Sequence, residues 1–201
     1  MPLRSSSFTF GKNETCIRRM HRSPNCIRDD SRTPWRLHVI RPKLYVICGL
    51  PGAGKTTRAI AIAKVTGAVR LCPDEWLVAM GISLVDYPVR FRLQDHMLQH
   101  GETLLRAGVS VIIEFGSWSR SERETIRQIA VHTDAGTELH FVDAPLPELA
   151  RRVQERGGPD AKSLVEDVLL KFPERFERPT ADETALYDVY FSPDDRPFVE
   201  P

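Results

Sequence analysis

Eight consecutive residues, Gly49-Leu50-Pro51-Gly52-Ala53-Gly54-Lys55-Thr56, fill the pattern G-x-x-x-x-G-K-[ST]. Glycines at this spacing let backbone N–H groups face a polyphosphate without a Cβ in the way, and a helix that starts at the end of the loop adds its positive dipole end. Lys55 would reach the β- and γ-phosphates, and the Thr56 hydroxyl would ligate Mg²⁺. Gly49, Pro51, Gly52, Ala53, Gly54, Lys55, Thr56 and Thr57 are therefore the candidate nucleotide-binding residues, with ATP and Mg²⁺ as the expected cofactors.

Further along are groups that phosphoryl transfer would need: an acid to take the acceptor's proton and cations to neutralise charge on the phosphates. Asp74 follows Lys55 by nineteen positions, enough for one helix and one strand to return the chain to the edge where ligands bind in an open α/β sheet. It is the candidate base and, with Thr56, a candidate metal ligand; capping the helix at Glu75–Met80 is the alternative role. Glu114 closes an apolar run, where a carboxylate is costly unless it is paired, metal-linked or solvated in a site. Arg152 and Arg156 are spaced i, i+4, so one helix can aim both at the phosphates. Arg120 and Arg123 stand near a helix start, where the dipole does not favour cations, so they face either anions or solvent. Arg90, Trp76 and Trp118 complete the candidate acceptor contacts, although each tryptophan could equally be packing.

The elements that must position these residues can be read from hydrophobic periodicity. Lys43–Cys48 is a short buried strand feeding the loop, and Thr56–Lys64 is a helix capped by Gly67. Ala68–Cys72 is a second strand, expected to lie beside the first, and Gly81–Pro88 is a loop. Val89–Ala107 is a long helix with Phe91, Met97, Leu98, Leu104 and Leu105 available for its buried stripe. Val109–Phe115 is a core strand of a doubly covered sheet. A helix capped by Ser119 or Ser121 runs to about Ala135, Glu138–Asp143 is a fourth strand, and Pro147 opens the helix that carries Arg151, Arg152 and Arg156 before Gly157-Gly158-Pro159. This alternation predicts an α/β fold in three layers, a parallel sheet of about five strands with helices on both faces, and an arginine-bearing lid.

The chain has 201 residues with 28 Lys and Arg against 27 Asp and Glu. The near balance conceals a basic arm, residues 1–41 with a charge of +6, ahead of a body, residues 42–201, with a charge of −5. The arm lacks helix or strand periodicity and is broken by Pro24 and Pro34, which predicts poor order. It fits three roles: a solvated tail, an Arg- and Ser-rich targeting peptide weakened by Glu14, Asp29 and Asp30, or a nucleic-acid contact. Cys48 and Cys72 read as small buried hydrophobes, while Cys16 and Cys26 show no metal spacing and could pair. No apolar run has the length of a signal or membrane segment, so no membrane partner and a cytoplasmic location are expected.

From Val46 to about Glu183 the chain resembles the small P-loop kinases of the zeta-toxin, chloramphenicol phosphotransferase and polynucleotide 5′-kinase group, and more closely a bacterial branch of AAA-type ATP-binding proteins and predicted kinases. The matching signatures are G-L-P-G-A-G-K-T-T, P-D-E-W around Asp74, I-E-F-G-S-W-S-R-S-E-R around Glu114, E-L-A-R-R-V-Q-E-R around the lid, and F-E-R-P-T-A-D-E at Phe176 to Glu183. The resemblance implies the P-loop NTPase fold, Asp74 as catalytic base, and Arg152 and Arg156 on ATP phosphates. The branch usually carries Asp where this chain has Glu114 and an aromatic where it has Ser117. A ring motor is not expected: there is no room for the usual helical lid domain and no convincing D-D/E Walker B pair.

The expected activity is Mg²⁺–ATP-dependent transfer to a hydroxyl of a small molecule. The alternatives are a nucleic-acid end kinase, weakly favoured by the basic arm, and a nucleotide-binding regulatory or toxin-like module that hydrolyses ATP slowly.

Overall fold

The computed structural model describes residues 41–171 and 175–195. The expectations for the basic arm, including its disorder, its nucleic-acid contact and a Cys16–Cys26 pairing, lie outside the described residues. Among those described, no helix is long and apolar enough to cross a membrane.

Five parallel strands form the middle layer: β1 (Lys43–Cys48), β2 (Val69–Leu71), β3 (Val111–Gly116), β4 (Gly136–Phe141) and β5 (Val189–Phe191). Their spatial order is β2-β3-β1-β4-β5. In register, Leu44 and Val46 stand beside Val111 and Ile113 on one side of β1, and beside Thr137 and Leu139 on the other. β1 alternates between two cores because successive side chains leave opposite faces of a strand. Leu44, Val46 and Cys48 join Met97, Leu105, Ile126 and Ala130 on one face, while Tyr45 and Ile47 join Ala59 and Ile62 on the other. Helices therefore cover both faces, as expected for three layers. Cys48 and Cys72 are free and buried, and burial pushes both thiols up to about 12.

The helices are α1 (Lys55–Thr66), α2 (Pro73–Ala79), α3 (Tyr87–Arg106), α4 (Arg120–Thr133), α5 (Leu146–Arg156), α6 (Ala161–Ser163), continued by a π-helical segment at Leu164–Leu169, and α7 (Ala181–Thr184). Gly67 caps α1 in the left-handed conformation at φ 70°. Ser119 caps α4 through a capping box with Glu122, the reciprocal arrangement that satisfies two N-terminal donors at once.

Several boundaries differ from the sequence reading. β2 does not lie beside β1, because β3 stands between them. α3 starts at Tyr87 rather than Val89: the Asp86 side chain caps it from outside by accepting from the Val89 N–H, and Pro88 sits in the first turn, where a missing N–H costs nothing. Phe91 is 55% exposed and is not part of the buried stripe, which is Met97, Gly101 and Leu105. β3 loses its first two expected residues to other partners: the Val109 N–H closes the end of α3 on Leu104 O, and Ser110 O accepts from the Val69 N–H. β4 starts two residues earlier, and the Gly136 N–H is already bonded to Pro42 O.

Candidate active site

The phosphate loop follows β1 directly. Gly49, at φ 149°, brings its backbone so close to β4 that a Cβ there would meet Val142 O at 2.2 Å, and one at Gly52 (φ 81°) would meet Leu149 O at 2.6 Å. These two glycines are thus required by close packing of the loop on its supports. Gly54, at φ 101°, caps α1 with open space around it, which keeps the start of the helix accessible. Ala53 packs its methyl into a small core with Leu50, Leu149 and Val153, and its N–H is bonded to Leu50 O. Lys55 Nζ donates to the Leu50 carbonyl at 3.0 Å. Desolvation in the cleft holds its ammonium below the ordinary lysine range, against the opposing pull of Asp74 and Glu114.

A cavity of about 1140 Å³ opens in front of this loop. Of the residues singled out from the sequence, Pro51, Gly52, Gly54, Lys55, Thr56, Thr57, Asp74, Arg90, Glu114, Trp118, Arg152 and Arg156 line it. The site therefore gathers residues from the ends of β1, β2 and β3 and from α3 and α5, at the carboxyl edge of the sheet where ligands of open α/β folds bind.

The acids divide the cavity between them. Glu114, at the end of β3, is buried; Oε1 accepts from the Thr56 hydroxyl and Oε2 from Arg70 Nη2 at 2.8 Å. Asp74 does not approach Thr56 in this way. It lies in the first turn of α2, whose cap residue is Cys72, so Asp74 is not a helix cap. Its Oδ1 instead accepts from Arg90 Nη2 at 2.6 Å, while Arg90 Nη1 donates to Leu84 O at 3.3 Å. Since β3 and not β2 neighbours β1, the strand-end acid beside the phosphate loop is Glu114, and Asp74 stands one strand further out.

Mg²⁺ is held by few protein oxygens and otherwise by phosphates and water. A threonine hydroxyl and a carboxylate in direct contact at the mouth of the phosphate loop are a donor set that fits it. No cluster of three or more His, Cys, Asp or Glu suited to a metal occurs among the described residues, so a tightly caged ion is not what these donors would hold.

On the lid side, Arg152 Nε pairs with Glu148 Oε1 at 2.7 Å and its Nη1 reaches Gly52 O at 3.3 Å, tying α5 to the phosphate loop. Arg151 pairs with Glu148 and Glu155 and is absent from the cavity lining. Beyond Gly157 and Gly158, both at positive φ, Asp160 accepts from Ser83 Oγ at 2.7 Å and from the Leu84 N–H at 2.9 Å. The segment after α5 is thereby clasped to the loop before α3.

Three sequence candidates lie elsewhere. Arg123 is fully buried and faces no anion site: Nε and Nη2 make a bidentate pair with Glu183 at 2.6 and 2.8 Å, and Nη1 donates to Ser117 O and Trp118 O. Its place at the helix start is explained by that buried carboxylate. Arg120 pairs with Asp182 at the surface, its own N–H bonded to Glu177. Trp76 is half exposed and outside the cavity lining. The late Phe176–Glu183 signature thus packs Phe176 on Phe141 at the end of β4 and straps the turn after β3, where Glu177 holds Arg120 and Glu183 holds Arg123. That turn includes Ser117, a non-glycine residue at φ 47°.

Arg70 and Asp160, and the cavity-facing Gln94, Asp95 and Phe115, are not among the residues that the sequence marks. Tyr87, Phe91, Gln94 and Leu98 recur at helical spacing along α3, a signal that was present but reads equally as a core stripe.

With this geometry, the comparisons with known proteins agree on the scaffold. A family model described as an AAA domain, AAA_33, matches residues 44–179. The chain belongs to that family. No curated protein matches it. Among solved structures, this AAA_33 chain is similar to APE1195, with 22% identity, 79% of this chain and 89% of that one covered and a TM-score of 0.57. It is also similar to the APS kinase CysC of Mycobacterium tuberculosis in complex with AMPPNP and APS, with 17% identity, 78% and 91% covered and a TM-score of 0.55. A sugar kinase from Janibacter sp. HTCC2649 matches with 22% identity, 78% and 88% covered and a TM-score of 0.53. At these identities the likeness is one of fold.

Proposed function

We propose that this AAA_33 protein is an Mg²⁺–ATP-dependent phosphotransferase acting on a hydroxyl of a small molecule. The observation that carries the reading is the arrangement within one cavity: the phosphate loop with Lys55 at one wall, the Thr56–Glu114 pair beside it, and Asp74 held by Arg90 further out. A nucleotide-binding module needs the first; a carboxylate held in the same cavity is what a base for an attacking hydroxyl requires. That the APS kinase and the sugar kinase share the fold agrees with this reading.

In this account the loop amides and Lys55 bind the donor, and Thr56 with Glu114 would hold the metal ion, which supplies charge neutralisation on the β- and γ-phosphates. Arg152 and Arg156 contribute positive charge from the lid side as the transition state forms. Asp74 accepts the acceptor's proton while the new O–P bond forms and the bond to the β-phosphate oxygen breaks, with ADP as the leaving group. Arg90 orients that carboxylate. Walls from α3, α4 and the lid segment surround the place for the acceptor, and their closure on bound substrates would exclude water and favour transfer over hydrolysis.

The experiment is ADP release measured over a panel of hydroxyl acceptors with product detection, for the unsubstituted chain and for Lys55→Ala. Phosphorylated acceptor should form and turnover should collapse in Lys55→Ala with the fold retained. An equally active Lys55→Ala protein would remove the reading.

A further inference from the structure

We infer that Arg70 is the positioning residue that fixes Glu114 on the metal side of the site, an inference that rests on the phosphotransferase reading above. Arg70 sits in the edge strand β2, in register with Ile112 of β3. Its Nη2 lies 2.8 Å from Glu114 Oε2 and 2.8 Å from Glu75 Oε1. One nitrogen therefore bridges a buried acid to a surface acid, with side-chain exposures of 3% for Glu114, 18% for Arg70 and 56% for Glu75.

The arrangement follows from what a glutamate at the end of β3 requires. A buried carboxylate without a cation is costly, and its two-methylene stem leaves the head group free to turn. Arg70 answers both needs from the side away from the phosphate loop. It takes Oε2, and Oε1 is left on the Thr56 hydroxyl, facing the place where a metal–nucleotide would bind. Glu75, from the first turn of α2, holds Arg70 from outside and so completes a chain Glu75–Arg70–Glu114–Thr56 across the end of the sheet. Among the described residues Arg70 Nε is buried without a hydrogen-bond partner. The guanidinium is thus placed by its Nη2 contacts, at a cost to its own hydrogen bonding. Residues that orient metal ligands in this manner typically change metal affinity by about 10- to 100-fold when removed.

The test is binding of a fluorescent ATP analogue to the full chain, titrated with Mg²⁺ and repeated in EDTA, so that no turnover is needed. In Arg70→Met the Mg²⁺ concentration for half-maximal nucleotide binding should rise by about tenfold or more, with binding in EDTA unchanged. Arg70→Lys should recover part of the loss, and Glu75→Gln should shift the midpoint in the same direction by less. If Arg70→Met does not fold, Arg70→Gln is read in the same way. A folded variant with an unmoved Mg²⁺ midpoint would reduce Arg70 to a structural ion pair and overturn the assignment alone. Absence of any nucleotide binding by the unsubstituted chain would overturn the phosphotransferase reading and the Arg70 assignment with it.

Discussion

The Thr56 hydroxyl donates to Glu114 Oε1, joining the first turn of α1 to the carboxyl end of β3 across 58 positions of sequence. The contact exists because β3 is the immediate neighbour of β1. It makes Glu114 the acid through which metal dependence should be felt. Glu114→Gln keeps the size of the side chain, removes its charge, and leaves one acceptor oxygen where the carboxylate offers two, to Thr56 and Arg70. Nucleotide affinity measured in Mg²⁺ should fall by about 10- to 100-fold while affinity in EDTA stays the same; equal losses in both conditions would place Glu114 outside the metal site.

Arg123 and Glu183 form a buried bidentate pair with side-chain exposures of 0% and 4%. Removing one partner of such a pair strands the other charge, at a cost of about 3–5 kcal/mol, whereas replacing both by apolar groups costs less. Arg123→Met should therefore lower the melting temperature more than the double variant Arg123→Met/Glu183→Leu does. The check is a double-mutant cycle on thermal unfolding. Additive losses would show that the two charges do not depend on each other.

Much of this organisation is legible in the sequence. The loop, α1 with its Gly67 cap, the Ser119 cap and the place of Asp74 just past the end of β2 follow from local rules of glycine, capping and periodicity. What is not legible is set by neighbours distant in sequence. Strand order cannot be read from β2 and β3 alone, so Asp74 reads as the acid nearest the phosphate loop when Glu114 holds that place. Arg123 reads as a cation facing either an anionic substrate or solvent until Glu183, sixty positions later, is brought against it. Phe91 reads as core because a cavity wall and a core stripe share the same helical spacing. β5 is three residues long and follows a short helix, too brief for periodicity to mark.

On the opposite side of the sheet, His140 is buried between Tyr45 and Phe191, stacked on the latter at 4.4 Å. Burial holds its imidazole below its ordinary value of 6.5, with the Glu138 carboxylate 3.4 Å away pulling the other way. The unfolded chain therefore binds a proton that the native state refuses, and stability falls as pH drops below about 6.5 until the native imidazole also titrates. The slope from one such group is at most about 1.4 kcal/mol per pH unit. Melting temperature should decline between pH 7 and 5, and the decline should be shallower in His140→Phe. Parallel curves for the two proteins would assign the acid sensitivity elsewhere.

Asp160 holds both Ser83 and Leu84, so it couples the segment after α5 to the loop that leads into α3. Asp160→Ala removes both acceptors at once. Hydrogen exchange at the Leu84 amide should accelerate markedly, with protection of β1 and β3 unchanged. Unaltered exchange at Leu84 would mean that other contacts keep that loop closed.

If Asp74 takes the proton of an acceptor hydroxyl, the transfer step and not ATP binding should depend on its carboxylate. Asp74→Asn keeps a side chain of the same size near Arg90 and removes the base. Single-turnover transfer of phosphate from ATP to the best acceptor of the panel, in parallel with ATP binding, tests this most directly. With Asp74 as the base, transfer should fall by about 10²- to 10⁴-fold with ATP binding intact, and undiminished transfer by Asp74→Asn would exclude that role.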